Sequence, residues 1–209
     1  MKFKRLAAVI ISAVTAFGAI GCSQTSSQSE PAAEENGENG SSENSDGTRT
    51  IIDQVGNEVV LPEKIERVVI ASVWPLASVY VLSMGTDKLV GLDPAIISAA
   101  ENSMLIKIAP EISEIESGFS QNGIMNAEEL IKLDPDVVLY SSGVPEDYEI
   151  ATQAGIPAVG FSLSIKDYNA VETINSWIEL LEDVMGEDIS SAEYVEYGLE
   201  MQEMIAERL

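Results

Sequence analysis

Four short runs of aliphatic residues constrain the fold of this chain more than any other feature. They are Arg67-Val68-Val69-Ile70-Ala71, Lys88-Leu89-Val90-Gly91, Val137-Val138-Leu139-Tyr140 and Pro157-Ala158-Val159-Gly160-Phe161. None of them alternates apolar with polar residues, so each suits a strand covered on both faces. Helical stretches lie between them. Pro75 fits the first turn of a helix with Leu76, Val79, Tyr80, Leu82 and Met84 facing inward, and Gly85 fits its end. Residues 96–100 and 103–108 read as short helices. Asn126 caps a helix running to Leu133, with Glu128 and Glu129 in its first turn, where the helix dipole favours them. Glu146 to Ala154 reads as another, closed by Gly155. Strands alternating with helices predict an α/β fold with a parallel, Rossmann-like sheet and right-handed crossovers. Ahead of the sheet, Thr50–Asp53 and Glu58–Leu61 flank Gln54-Val55-Gly56-Asn57, which reads as a hairpin stopped by Pro62.

After Ser164 the period changes. Tyr168, Val171, Ile174, Trp177, Ile178, Leu181, Val184 and Met185 recur at helical spacing, and Gly186 closes that helix. Ser190 or Ser191 can cap a second one, with Ala192, Val195, Leu199 and Ile205 on one face.

The N-terminus has a different build. Lys2, Lys4 and Arg5 precede an uncharged apolar run from Leu6 to Ile20, and Gly21-Cys22 follows. This is the three-part layout of a secretory signal, and the run is short for a membrane span of about 20 apolar residues. It resembles a bacterial lipoprotein signal, with Ala19 where Leu is usual. That resemblance implies removal of residues 1–21, lipidation of Cys22 and attachment to a membrane through the lipid. Residues 22–48 are rich in Ser, Glu, Asn and Gly, with no aliphatic side chain larger than Ala, and are expected to form a disordered tether.

Composition excludes several function classes. There are 35 acidic residues against 11 basic ones, a net charge of −24, so a nucleic-acid partner is not expected. The chain has no His, which removes the commonest general base and the Ser-His and Cys-His nucleophile pairs. No phosphate-binding G-x-x-x-x-G-K loop is present, and the expectation is a protein that is not an enzyme. Cys22 is the one cysteine, so no internal disulfide can form.

The run from Asn126 to Val138 contains Asn126, Glu128, Leu130, Leu133, Pro135, Asp136, Val137 and Val138 in an N-x-E-x-L-x-x-L-x-P-D-V-V pattern. It resembles the signature of the substrate-binding proteins of ABC importers for ferric siderophores, haem and cobalamin. The 52–62 hairpin, Arg67-Val68-Val69, Asp87 to Gly91, Trp74 to Tyr80, and Ala154-Gly155-Ile156-Pro157 agree with it in order. The resemblance covers about Arg49 to Leu209. It implies two α/β lobes joined by a long rigid helix, with ligand held between them. Residues 49–164 then form the N-terminal lobe, and 165–209 are helical and include the start of the joining helix. The second lobe is absent from this sequence.

The same resemblance implies a receptor on the outer face of the cytoplasmic membrane, extracellular in a Gram-positive cell. It implies an iron complex as ligand, no resident cofactor or metal, and the subunits of an ABC permease as partners. Glu128, with Glu129 as second choice, matches the helix-start carboxylate that docks to permease arginines. Binding loops of a parallel sheet gather at the strand C-termini. Trp74 is therefore the first candidate ligand contact, since an aromatic face suits a large flat complex. Ser72, Phe119, Gln121, Asn122, Ser141 and Ser142 are further candidates. The alternative reading is a lipoprotein that serves as an interaction module without small-ligand transport.

Overall fold

The computed structural model describes residues 42–43, 47–189 and 193–208. Cys22, residues 1–21, most of the tether and the expected caps Ser190 and Ser191 lie outside them. The elements run β1 (Ser42–Glu43), β2 (Thr48–Ile52), β3 (Glu58–Pro62), β4 (Val68–Ile70), α1 (Trp74–Met84), β5 (Leu89–Leu92), α2 (Pro94–Glu101) and α3 (Leu105–Ile108). They continue with a 3-10 turn (Pro110–Glu114), β6 (Ser120–Gln121), β7 (Ile124–Met125), α4 (Ala127–Lys132), β8 (Val137–Ser141), α5 (Pro145–Gln153), β9 (Ala158–Phe161), α6 (Ala170–Met185) and α7 (Glu193–Ala206). No helix among the described residues is long and apolar enough to cross a membrane.

The aliphatic runs form one sheet in the order β5-β4-β8-β9, and every pairing in it is parallel. Side chains of a strand point alternately to its two faces. Val68, Ile70, Val137, Leu139, Val159 and Phe161 enter one core together with α1, α2 and α6. Val69, Ala71, Val138, Tyr140 and Ala158 enter a second core with residues of α4 and α5. Covering on both faces is why these runs carry no polar alternation. Gly160 is demanded by packing: a Cβ there would lie 2.5 Å from Val55 Cγ2 and 2.8 Å from the Tyr140 hydroxyl oxygen.

The β2–β3 hairpin is fastened to the sheet by Asp53. Its carboxylate accepts hydrogen bonds from the backbone N–H groups of Val55 (2.9 Å), Asn57 (2.8 Å) and Gly160 (2.9 Å), and from the Asn57 amide (3.0 Å). The expected tether boundary shifts, because Ser42–Glu43 pairs antiparallel with β2 and Thr48 already belongs to β2. Pro62 lies within β3 instead of stopping it, opposite Thr48 at the last pair of the ladder. Residues 118–123 hold β6 and the turn of a tight hairpin with β7. Asn122 and Gly123 form that turn at φ 56° and 75°, the left-handed pair that a two-residue hairpin requires.

Helix α6 starts later than its spacing suggests. Asn169 caps it, accepting from the Glu172 N–H. Tyr168 therefore lies outside the helix, 79% exposed, and Val171 and Ile174 are also exposed. The buried residues are Thr173, Ser176, Trp177, Ile178, Leu180, Leu181, Val184 and Met185. Trp177, 2% exposed, donates its indole N–H to the Ser162 carbonyl (3.0 Å). No basic residue occupies the last turn of α6, and Arg49 of β2 supplies the charge by donating to the carbonyls of Asp183 and Val184.

Gly160→Ala is expected to lower stability by roughly 1–3 kcal/mol through overpacking against Tyr140 and Val55. A fall in the urea unfolding midpoint checks this, and an unchanged midpoint refutes it.

Candidate binding face at the C-terminal edge of the sheet

The chain leaves β4 through Ser72, whose φ of 54° is left-handed. Such a conformation costs a non-glycine residue on the order of 1–3 kcal/mol and persists where neighbours over-determine it. Here they do. The Ser72 hydroxyl donates to Asp147 Oδ2 (2.6 Å) and accepts from the Ser141 N–H (3.2 Å). One side chain thus ties together the ends of β4 and β8 and the first turn of α5.

Two carboxylates sit at this edge. Asp147 is 2% exposed, and its pKa is raised above 3.8 chiefly by burial, with the charges of Asp93 and Glu146 adding and the Ser72 hydrogen bond opposing. Asp93, also buried, follows β5 and caps α2. It accepts from the Ala95 N–H (2.8 Å) and from the Ser120 hydroxyl (2.5 Å). Trp74 opens α1 and is 59% exposed. It borders a small depression of about 50 Å³ with Ser78, Ile96, Ala99, Ser103 and Leu105. The exposed side chains of Leu163, Ile165 and Tyr168 follow β9. Among the described residues no group of three or more His, Cys, Asp or Glu is arranged to hold a metal ion.

The candidate residues separate into three places. Ser72, Ser141 and Ser142 gather at the strand ends, Ser72 on the stretch that leads into Trp74 and the other two on the stretch that leads into α5. The Ser72 and Ser141 hydroxyls are already occupied, the latter accepting from the Gly143 N–H (3.2 Å). Ser142 is half-buried, and its N–H donates to the Phe161 carbonyl (2.9 Å). Phe119 is a core side chain, 1% exposed, packed in the second core above Gly91, so it is not a cleft contact. Its apolar bulk fills the space that the missing Gly91 side chain leaves. Gln121 and Asn122 line a separate open depression of about 560 Å³ with Ile124, Asn126 and Glu129.

That depression abuts the start of α4. The Asn126 side chain accepts from the N–H groups of Glu128 (2.9 Å) and Glu129 (3.1 Å). Glu129 pairs with Lys132 (2.6 Å). Glu128 is exposed, and no side chain of the described residues is hydrogen-bonded to its carboxylate.

Neither Asp93 nor Asp147 is among the residues that the sequence singled out. An acid in the first turn after a proline is a readable helix-start signal. Its burial against Ser72 is not readable, since that contact joins residues 75 positions apart.

No family model matches the chain, and no curated protein matches it. Solved structures do. The chain is similar to a periplasmic solute-binding protein from Veillonella parvula, with 26% identity, a TM-score of 0.64, and coverage of 77% of this chain and 47% of that one. It is also similar to the molybdate periplasmic binding protein MolA of a Haemophilus influenzae ABC transporter, at 22% identity, a TM-score of 0.65, and coverage of 77% and 53%. A third is Helicobacter pylori CeuE in a nickel–histidine complex, at 22% identity, a TM-score of 0.54, and coverage of 78% and 50%. The fold is that of one lobe of a periplasmic solute-binding protein. The chain spans about half the length of the structures it matches.

Because Asp147 has a raised pKa in the folded state, its ionisation opposes folding. Wild type is expected to lose stability relative to Asp147→Asn as pH rises from the unfolded value near 3.8 through the folded pKa, with a constant difference below and above that window. Parallel denaturant titrations across the acid range check this. A difference that stays flat, or a wild type that gains stability relative to Asp147→Asn as pH rises, overturns it.

Proposed function

We propose that this lobe is part of an extracytoplasmic receptor, anchored by a lipid on Cys22, that takes up an iron complex and delivers it to an ABC importer. The observation that carries the reading is the exposed Trp74 at the carboxyl edge of the parallel sheet, where ligands of such sheets bind. The likeness to solute-binding proteins supports the receptor class. Those structures hold ligands as different as molybdate and nickel–histidine, so the fold leaves the cargo open. Iron as cargo rests on the N-x-E-x-L-x-x-L-x-P-D signature and its relatives along the chain.

In this reading the lobe presents one wall of a cleft and the remainder of the receptor presents the other. Trp74 stacks against the ligand, and Ser142 is the serine at this edge whose hydroxyl is best placed for a polar contact. The receptor docks on the permease through Glu128, whose carboxylate stands in solvent at a helix start and suits an arginine pocket. Glu129 is the weaker docking candidate, because Lys132 already neutralises it. Binding and delivery are the whole activity, and no bond is broken by this chain.

Ligand addition to the lipoprotein is expected to quench Trp74 fluorescence, and Trp74→Ala to weaken binding at least about tenfold. In a membrane-vesicle import assay Glu128→Arg is expected to reduce uptake by about tenfold or more with ligand affinity unchanged. Uptake unaffected by Glu128→Arg sinks the docking role, and no binding by any ferric chelate sinks the receptor role.

The anchor is read from mass. Protein from the membrane fraction is expected to begin at Cys22 and to exceed its polypeptide mass by acyl chains. An unmodified Met1 or Cys22 terminus refutes lipidation.

A further inference from the structure

We propose that Tyr168 is a second ligand contact beside Trp74, presented by a turn whose backbone is strained to hold it. The inference rests on the receptor reading and adds a residue to its binding face. Lys166-Asp167-Tyr168-Asn169 forms a tight turn, in which the Asn169 N–H donates to the Lys166 carbonyl (2.8 Å). Its two central residues have φ of 50° and 63°. Two positive central φ angles are the mark of a type I′ turn, whose usual pair is Asp-Gly or Asn-Gly. Asp167 suits the first position. Tyr168 stands where glycine belongs.

A bulky side chain at positive φ is an outlier, and such strain persists only where something compensates it. Packing within the lobe does not. Tyr168 is 79% exposed, more than any other large apolar or aromatic side chain of the described residues. Nor does the cap of α6 require it, since the Asn169 side chain accepts from the Glu172 N–H without using residue 168. A ring kept in solvent at a glycine position points to an occupant from outside the lobe.

The place of the turn says which occupant. Helix α6 runs from the carboxyl edge of the sheet to its amino edge. Trp177 in its second turn is bonded to Ser162, just past β9, and Glu187 beyond its end pairs with Lys88 ahead of β5 (2.6 Å). The first turn of α6 therefore stands past the end of β9, and Tyr168 precedes it. Helix α1, which Trp74 opens, packs beside α6 in the first core. Packed helices lie about 8–10 Å apart, so the two helix starts that carry the exposed rings are neighbours at the same edge. Val171 and Ile174, both exposed, extend the apolar surface along α6. A chelate built of several rings reaches both aromatics, and each ring adds a stacking face.

Substitution by glycine separates a ligand contact from a structural residue, because the two roles predict opposite signs. Glycine takes positive φ without strain. Tyr168→Gly is therefore expected to keep or raise the urea unfolding midpoint of the lipoprotein. It is also expected to weaken ligand binding about fivefold or more. Binding is read from the quenching of Trp74 by a ferric tricatecholate, a ferric trihydroxamate and haem as probes. Tyr168→Phe retains the ring and is expected to bind within about twofold of wild type. Weaker binding by Tyr168→Gly at an unchanged or higher midpoint, with Tyr168→Phe near wild type, supports the inference. A lower midpoint for Tyr168→Gly makes Tyr168 a structural residue and overturns it. Binding that Trp74→Ala weakens and Tyr168→Gly leaves unchanged overturns the second contact and keeps the receptor reading. Binding of none of the three probes overturns the receptor reading, and the inference falls with it.

Discussion

Everything in this lobe follows from a parallel sheet that has to be dry on both faces. β4, β8 and β9 are buried along their whole length, so helices and the β2–β3 hairpin must cover both sides. A parallel pair cannot be joined by a tight turn, and each crossover therefore sends the chain over a face and back. The covering is complete on the faces and incomplete at the ends. At the carboxyl edge the helix starts gather, with Trp74 exposed and Ser72, Asp93 and Asp147 tied into the strand ends and helix starts.

The polar interactions that survive inside this fold answer to backbone groups. Asp53 satisfies three N–H groups and joins the hairpin to β9. Arg49 and Arg67 close the carbonyl ends of α6 and α4, positions where neither helix has an arginine of its own. Asp136 accepts from the N–H groups of Glu66 and Arg67 (2.7 and 2.9 Å), so the acid of the P-D pair fixes the entry to β4. Placing charges on helix ends and hairpin turns satisfies orphan groups that would each cost about 1–3 kcal/mol if buried alone.

Local signals were the legible ones. The aliphatic runs marked the strands, Asn126 marked the start of α4, and Gly186 at φ 67° ended α6 where its spacing said it should. The errors share a cause: each concerned a residue whose fate is set by a distant partner. Phe119 was a candidate ligand contact and is a core residue packed in the second core beside Gly91. Tyr168 matched the helical period by position, yet Asn169 captured the helix start and left it outside. Ser72 looked like a free hydroxyl, and its geometry hands it to Asp147.

The sequence by itself determined the fold class, the alternation of strands and helices in the parallel sheet, the caps at Asn126 and Gly186 and the exclusion of histidine chemistry, because these depend on residue type and near-neighbour spacing. The tertiary structure alone decided which side chains face the open edge. Whether a serine, an aspartate or an aromatic is buried or available depends on contacts across tens of residues, and those exist only once the sheet has closed against its helices.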